Sequence, residues 1–124
     1  MKLKYEFTIE DDPEKIFDLT VEYFALKIQY PYEITRVEPY AVENLPVPKS
    51  LLFERGSGLA SFMGAEIEKC KTKLKVSFVM KTGGVVQMVF EYDIKTYGTP
   101  LESDIAKISK EVSDLKNYIL SSKT

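Results

Sequence analysis

Two alternating runs of residues joined by a glycine turn constrain this chain more than any other feature. Residues 73–81 place an apolar residue at every second position, and residues 85–96 repeat the pattern. A period of two is typical of strands with one buried face. The intervening Thr82-Gly83-Gly84 suits a tight turn. The sequence therefore predicts an antiparallel hairpin whose inward residues are Leu74, Val76, Phe78, Met80, Val86, Met88, Phe90, Tyr92 and Ile94.

The start of the chain predicts a strand that leads directly into a helix. Residues 2–10 alternate between apolar and polar side chains. Asp12 suits an N-cap because the residue before a proline avoids helical geometry, and Pro13 suits the first helical position. We expect this helix to end at Pro31.

A second helix is predicted to occupy the end of the chain, to about Ser121. Thr99 as N-cap, Pro100 at the first position and Glu102 at the third form a predicted capping box. Its apolar stripe consists of Leu101, Ile105, Ile108, Val112, Leu115 and Ile119. The same spacing fits a short coiled coil, so a weak dimer is an alternative to a monomer.

The remaining segments complete an α+β architecture. Further strands are predicted at 33–38, 50–55 and 59–69, and the proline-containing segment 39–49 is a loop or an edge crossing. The expected order is β-α-β-β-β-β-β-α. Residues 1–124 then form a single domain, a curved antiparallel sheet of about six strands with both helices on one face.

This geometry predicts an apolar cavity beneath the last helix. A sheet of about six strands is about 24 Å wide, whereas a helix with its side chains is only about 10 Å across. Flexible methionines and aromatic rings on the inward rows suit a ligand-sized space, and a core filled by the same side chains is the alternative. The predicted lining consists of Phe53, Phe62, Met63, Phe78, Met80, Met88, Phe90, Tyr92, Ile108, Val112 and Leu115.

Composition excludes several classes of function. The sequence has no histidine and one cysteine, Cys70, so nucleophilic dyads or triads built on histidine, and structural zinc sites, are excluded. We expect no catalytic residue, no cofactor and no metal. A net charge of −2 argues against a nucleic-acid partner. The basic run at 69–75 is interpreted as solvated hairpin lysines rather than a site for nucleic acid or acidic lipid, although transient membrane contact is compatible with it.

We also expect no targeting segment. The first ten residues are charged, which is unlike a signal peptide, and no run approaches the ~18 apolar residues of a membrane span. We therefore expect a cytoplasmic protein. Only four side-chain amides occur beside many lysines and glutamates, which favours a thermophilic source.

The segments DDPEKIFDLT and YPYEITRVEP resemble the opening of helix-grip proteins of the START-like superfamily. This group includes lipid-transfer domains, birch-pollen-allergen relatives and polyketide cyclases. The shared residues are Pro13, Glu14, Ile16 and Phe17, and the segment from Leu101 to Leu120 resembles the gripping helix. The chain is most similar to small single-domain members from thermoacidophilic archaea, which implies a carrier of long-chain fatty acids. It is shorter than most lipid-transfer members, which implies a narrow cavity.

A fatty-acid carboxylate needs a donor, and few candidates exist. Arg55 has the strand parity of Phe53 and is the first candidate for a two-hydrogen-bond anchor; Arg36 is the second, and Tyr92 is a further donor. The alternative for each is a surface ion pair or a solvated hydroxyl. The expected partner is a long-chain fatty acid or another apolar small molecule. The alternatives are a cyclase- or hydratase-type enzyme that uses a tyrosine or carboxylate in the cavity, and a protein-interaction module with a filled core.

Overall fold

The computed structural model describes residues 1–39, 48–63, 65–96 and 98–122. Its strands are β1 (Lys2–Glu10), β2 (Glu33–Glu38), β3 (Ser50–Arg55), β4 (Thr72–Met80) and β5 (Val85–Ile94). Its α-helices are α1 (Pro13–Glu22), α2 (Gly58–Phe62) and α3 (Glu102–Ser121). A π-helical turn (Tyr23–Lys27) extends α1, and a 3-10 turn (Ile67–Lys69) precedes β4. Residues 40–47 of the segment 39–49, predicted as a loop or an edge crossing, lie outside the described residues.

The strands form one antiparallel sheet in the order β1-β5-β4-β3-β2. The predicted hairpin is confirmed, with Val76 opposite Phe90 and Phe78 opposite Met88. Gly83 and Gly84 make its turn with φ of 81° and 75°, a left-handed backbone that favours glycine. Strand β1 closes against β5, which brings the start of the chain beside its second half. The inward rows of all the central strands therefore face the same side.

The strand-to-helix switch at the start of the chain is confirmed. The Asp12 side chain accepts a hydrogen bond from the backbone N–H of Glu14 at 3.2 Å, and Pro13 begins the helix. The predicted end at Pro31 is wrong, because helical structure ends at Lys27 and Ile28 is extended. The Tyr32 N–H donates to the Phe24 carbonyl at 2.8 Å, which stabilises this exit.

The last helix begins later than predicted. Leu101 is the N-cap, and its N–H donates to the Asp104 side chain at 3.1 Å, so Asp104 takes the role assigned to Glu102. The predicted cap at Thr99 is wrong because Leu101, after Pro100, is itself extended (φ −80°, ψ 155°). The buried stripe begins at Ile108, since Leu101 and Ile105 are exposed.

The predicted strand at 59–69 is wrong, and among the described residues the sheet has five strands rather than about six. The Ser57 side chain accepts from the Ala60 N–H at 3.1 Å and caps the short helix α2. The segment turns the chain between β3 and β4, which pair with each other, so no sheet edge is available to it there. Phe62 and Met63 therefore leave the core and are 69% and 72% exposed.

The core fills the space between the sheet and the helices α1 and α3. It includes Ile16 and Phe24 from the first helical segment, the inward rows of β3, β4 and β5, and four residues of α3. No helix of the described residues is long and apolar enough to cross a membrane.

Candidate functional site

The predicted apolar cavity is not formed among the described residues. Six of its predicted lining residues expose 1% or less of their surface: Phe53, Phe78, Met88, Phe90, Ile108 and Leu115. Tyr92 and Val112 are also buried, and Met80 packs at the margin of the same cluster. A space wide enough for an acyl chain would leave surface on these residues accessible to water. The structure brings them together as a packed core instead.

The first helical segment explains why the core is filled. Phe24 lies in the π-helical turn and is fully buried. Its ring centroid is 5.4 Å from that of Tyr32, 5.4 Å from that of Phe53 and 6.3 Å from that of Phe90. Helix α3 alone is too narrow to cover the inner face of the sheet. Phe24 occupies part of the space that α3 alone would leave open.

Arg55 points inward, and its side chain is only 2% exposed. It shares its strand face with the buried Leu51 and Phe53, because alternate residues of β3 lie on the same side. Its Nη1 atom lies 2.6 Å from Oε1 of Glu111 and donates to the Tyr30 carbonyl at 3.0 Å. The guanidinium stacks 4.1 Å from the centre of the Tyr32 ring. Arg36, the second predicted anchor, is exposed on the edge strand β2.

Glu111 is a functional candidate that the sequence interpretation missed. It lies on the buried face of α3 and its side chain is 6% exposed. Its Oε2 atom accepts hydrogen bonds from the hydroxyls of Tyr32 and Tyr92, each at 2.7 Å. One signal was available, because Glu111 follows Ile108 by three positions and precedes Leu115 by four, which puts it on the apolar stripe. Tyr32 carried no comparable signal beyond its place after Pro31.

Burial raises the pKa of both tyrosines, so their hydroxyls stay protonated to a higher pH than those of exposed tyrosines. Desolvation is the largest cause that raises the pKa of Tyr32 and of Tyr92 well above the usual value, and the negative charge of Glu111 raises both further. Arg55 lowers each pKa, but by less than these causes raise it. Both hydroxyls are therefore fixed donors, and the charge of Glu111 is balanced by Arg55.

We call Arg55, Tyr32 and Tyr92 the carboxylate cradle, because their donors converge on one carboxylate. The cradle also has donors that this carboxylate does not use. The Nε and Nη2 atoms of Arg55 are buried and have no hydrogen-bond partner among the described residues. These two N–H groups lie on one edge of the guanidinium and match the two oxygens of a carboxylate. A buried donor without a partner costs about 1–3 kcal/mol, so this edge points to a ligand or water.

A polar groove of about 480 Å³ reaches the cradle from the surface. Arg55 and Glu111 lie on its lining, together with Tyr23, Lys27, Ile28, Gln29, Tyr30, Glu66, Glu68, Lys107, Lys110 and Asp114. Its walls hold ion pairs between Lys110 and Asp114 (2.8 Å) and between Lys107 and Glu68 (3.7 Å). A larger groove of about 530 Å³ is lined mainly by outward residues of the sheet, including Leu52, Lys73 and Glu91.

Comparison with known proteins identifies the fold. No family model matches the chain, and no curated protein matches its sequence. The structure is similar to that of Ara h 8.0201, a Bet v 1-like allergen, with 17% identity and a TM-score of 0.56 over 96% of this chain and 94% of that one. The chain has the helix-grip fold.

Two further solved structures are similar at a lower level. One is TTHA0849 from Thermus thermophilus, with 10% identity and a TM-score of 0.46 over 100% of both chains. The other is a START superfamily protein from Mycobacterium smegmatis, with 13% identity and a TM-score of 0.46 over 96% of this chain and 93% of that one.

Proposed function

We propose that this helix-grip protein binds and carries an apolar ligand with a carboxylate head, specifically a long-chain fatty acid. One observation carries the proposal. The Arg55 side chain is buried, and one two-donor edge of its guanidinium has no partner among the described residues. A carboxylate satisfies both donors at once, whereas a neutral apolar ligand satisfies neither.

The acyl chain would lie against the aromatic and methionine side chains beneath α3. Because these side chains fill the core, binding requires α3 to move away from the sheet. Burial of about fourteen methylenes at ~0.8 kcal/mol each contributes roughly 11 kcal/mol toward this change. Met88 supports an opening mechanism because methionine repacks easily around variable apolar groups. The first turn of α3 is also weakly held, since Leu101 and Ile105 are exposed.

The test compares arginine variants of the delipidated protein. Native mass spectrometry with C14–C18 acids at micromolar concentration should show one acid bound to each chain. Arg55→Lys keeps the charge beside Glu111 but removes the two-donor edge, so its affinity should fall about tenfold or more. Arg36→Lys is the matched control on an exposed arginine and should bind like the original protein. Absence of adducts in the original protein, or equal binding by Arg55→Lys, would refute the proposal.

The filled core favours a second candidate function, a protein-interaction module. A module of this kind needs a rigid surface rather than an internal space. The two candidates differ in one measurable property. A module should keep the amide chemical shifts of α3 unchanged when fatty acid is added, whereas a carrier should shift them throughout the helix.

The expectation that the protein is not an enzyme stays a prediction. Glu111 is the inward carboxylate on which a cyclase- or hydratase-type activity would depend.

A further inference from the structure

We infer that Glu111 is an internal occupant of the ligand site, and that a ligand carboxylate bound to the open Nε and Nη2 edge of Arg55 displaces Glu111 from Arg55, Tyr32 and Tyr92. The exchange detaches the middle of α3 from the sheet and so couples recognition of the head group to opening of the core. This inference rests on the proposed function and adds how binding at that site is controlled.

The donors of the carboxylate cradle lie on the sheet side, whereas the carboxylate that accepts from them comes from α3. Arg55 is the last residue of β3, Tyr92 lies in β5 and Tyr32 immediately precedes β2. All three donors therefore belong to the sheet or its border. The acceptor alone comes from α3, because Glu111 supplies both carboxylate oxygens. If α3 moves, the three donors stay together and remain directed at one carboxylate.

Charge balance makes the two carboxylates competitors. The buried pair of Arg55 and Glu111 is neutral overall. A second carboxylate on the unpaired edge of Arg55 would leave a net negative charge in a site where both side chains are at most 6% exposed. An uncompensated buried charge costs several kcal/mol. The ligand is therefore accepted on this edge when Glu111 leaves, and departure of Glu111 also frees the hydroxyls of Tyr32 and Tyr92.

The groove gives Glu111 a place to go. Glu111 already forms part of its lining, so its carboxylate can reach water without crossing the core. Lys107 lies one helical turn earlier on α3, and its side chain is 49% exposed. A lysine four positions away on the same helix face is within reach of a glutamate. The displaced carboxylate of Glu111 thus leaves the buried guanidinium of Arg55 and is stabilised instead by water and by the ammonium group of Lys107.

The exchange also accounts for a carrier whose core is filled without ligand. The contacts of Glu111 with three sheet-side residues fasten the centre of α3, between Ile108 and Leu115. While they hold, the side chains beneath the helix pack tightly. When a ligand carboxylate displaces Glu111, these contacts between α3 and the sheet are lost, which is when the acyl chain needs room.

The first experiment compares Glu111→Gln with the original protein in fatty-acid titrations, using palmitate as the probe. Glu111→Gln removes the competing charge, so palmitate should bind about tenfold or more tightly. Glu102→Gln is the matched control, because Glu102 is an exposed glutamate at the start of the same helix. It should leave the affinity unchanged. Equal or weaker binding by Glu111→Gln, with the original protein still binding, overturns this inference alone. No binding by either protein overturns the proposed function as well.

The second experiment uses the unmodified chain and needs no variant to fold. Carbodiimide labelling with peptide mass spectrometry measures which carboxylates reach solvent. Glu111 is buried without ligand, so its labelling should rise several-fold when palmitate is bound, while labelling of the exposed Glu102 stays constant. Unchanged or reduced labelling of Glu111 in the palmitate complex overturns the exchange.

Discussion

The two buried charges of Arg55 and Glu111 should be strongly coupled, so removing either partner alone should destabilise the fold far more than removing one partner of a surface pair. Glu111→Gln leaves the Arg55 charge buried with only neutral acceptors, the Tyr30 carbonyl and the glutamine amide oxygen. Arg55→Met leaves a buried carboxylate that keeps only two tyrosine hydroxyls. Each change leaves an uncompensated buried charge, which costs about 3–5 kcal/mol. The double variant removes both charges together and should cost less than either single variant.

Urea unfolding followed by circular dichroism measures this difference. A domain of this size is stable by about 5–15 kcal/mol, so each single variant should lose a large part of its stability. The coupling energy from the double-mutant cycle should reach about 3 kcal/mol, compared with about 0.2–1 kcal/mol for an exposed pair. The exposed pair of Lys110 and Asp114 is the internal control. A coupling below about 0.5 kcal/mol at Arg55 and Glu111 would refute the claim that this pair is buried and coupled.

Three further predictions concern the core, a turn and pH. Leu115→Trp should lower the free energy of unfolding by about 1–3 kcal/mol, because Leu115 is fully buried and a larger ring overpacks the core. A thermal melt with an unchanged melting temperature would contradict this and indicate free space beneath α3. Gly56→Ala should destabilise the protein more than Gly83→Ala. Both glycines have left-handed φ, but a Cβ at Gly56 would lie 2.0 Å from the Cys70 carbonyl oxygen, whereas Gly83 faces open space; equal melting temperatures would contradict this contact. The two cradle tyrosines have a raised pKa in the folded state, so their contribution to stability is complete below about pH 10 and is lost as the pH rises through their folded pKa values. Tyrosinate absorbance of the folded protein should therefore correspond to fewer than the eight tyrosines of the sequence until it unfolds, and full ionisation before unfolding would contradict their burial.

Local patterns in the sequence were sufficient to predict most of the secondary structure. The alternation in β1, β4 and β5 and the Asp12-Pro13 cap depend on neighbouring residues only, so the elements they predict agree closely with the structure. The prediction of a strand at 59–69 was wrong because the apolar spacing of this segment fits a strand and a short helix equally well. Its place between two strands that pair with each other, which the sequence does not display, decided the outcome.

The candidate site, too, could be predicted from the sequence only in part. Strand parity was enough to place Arg55 on the strand face of Leu51 and Phe53, inward or at the rim, since a period of two is a local property of the backbone. The sequence could not reveal that Glu111 meets Arg55, or that Phe24 fills the space beside α3. Those contacts depend on how far each helix rotates and how closely it approaches the sheet. Rotation and approach result from the packing of the whole core, so the tertiary structure alone brings the cradle and its internal carboxylate together.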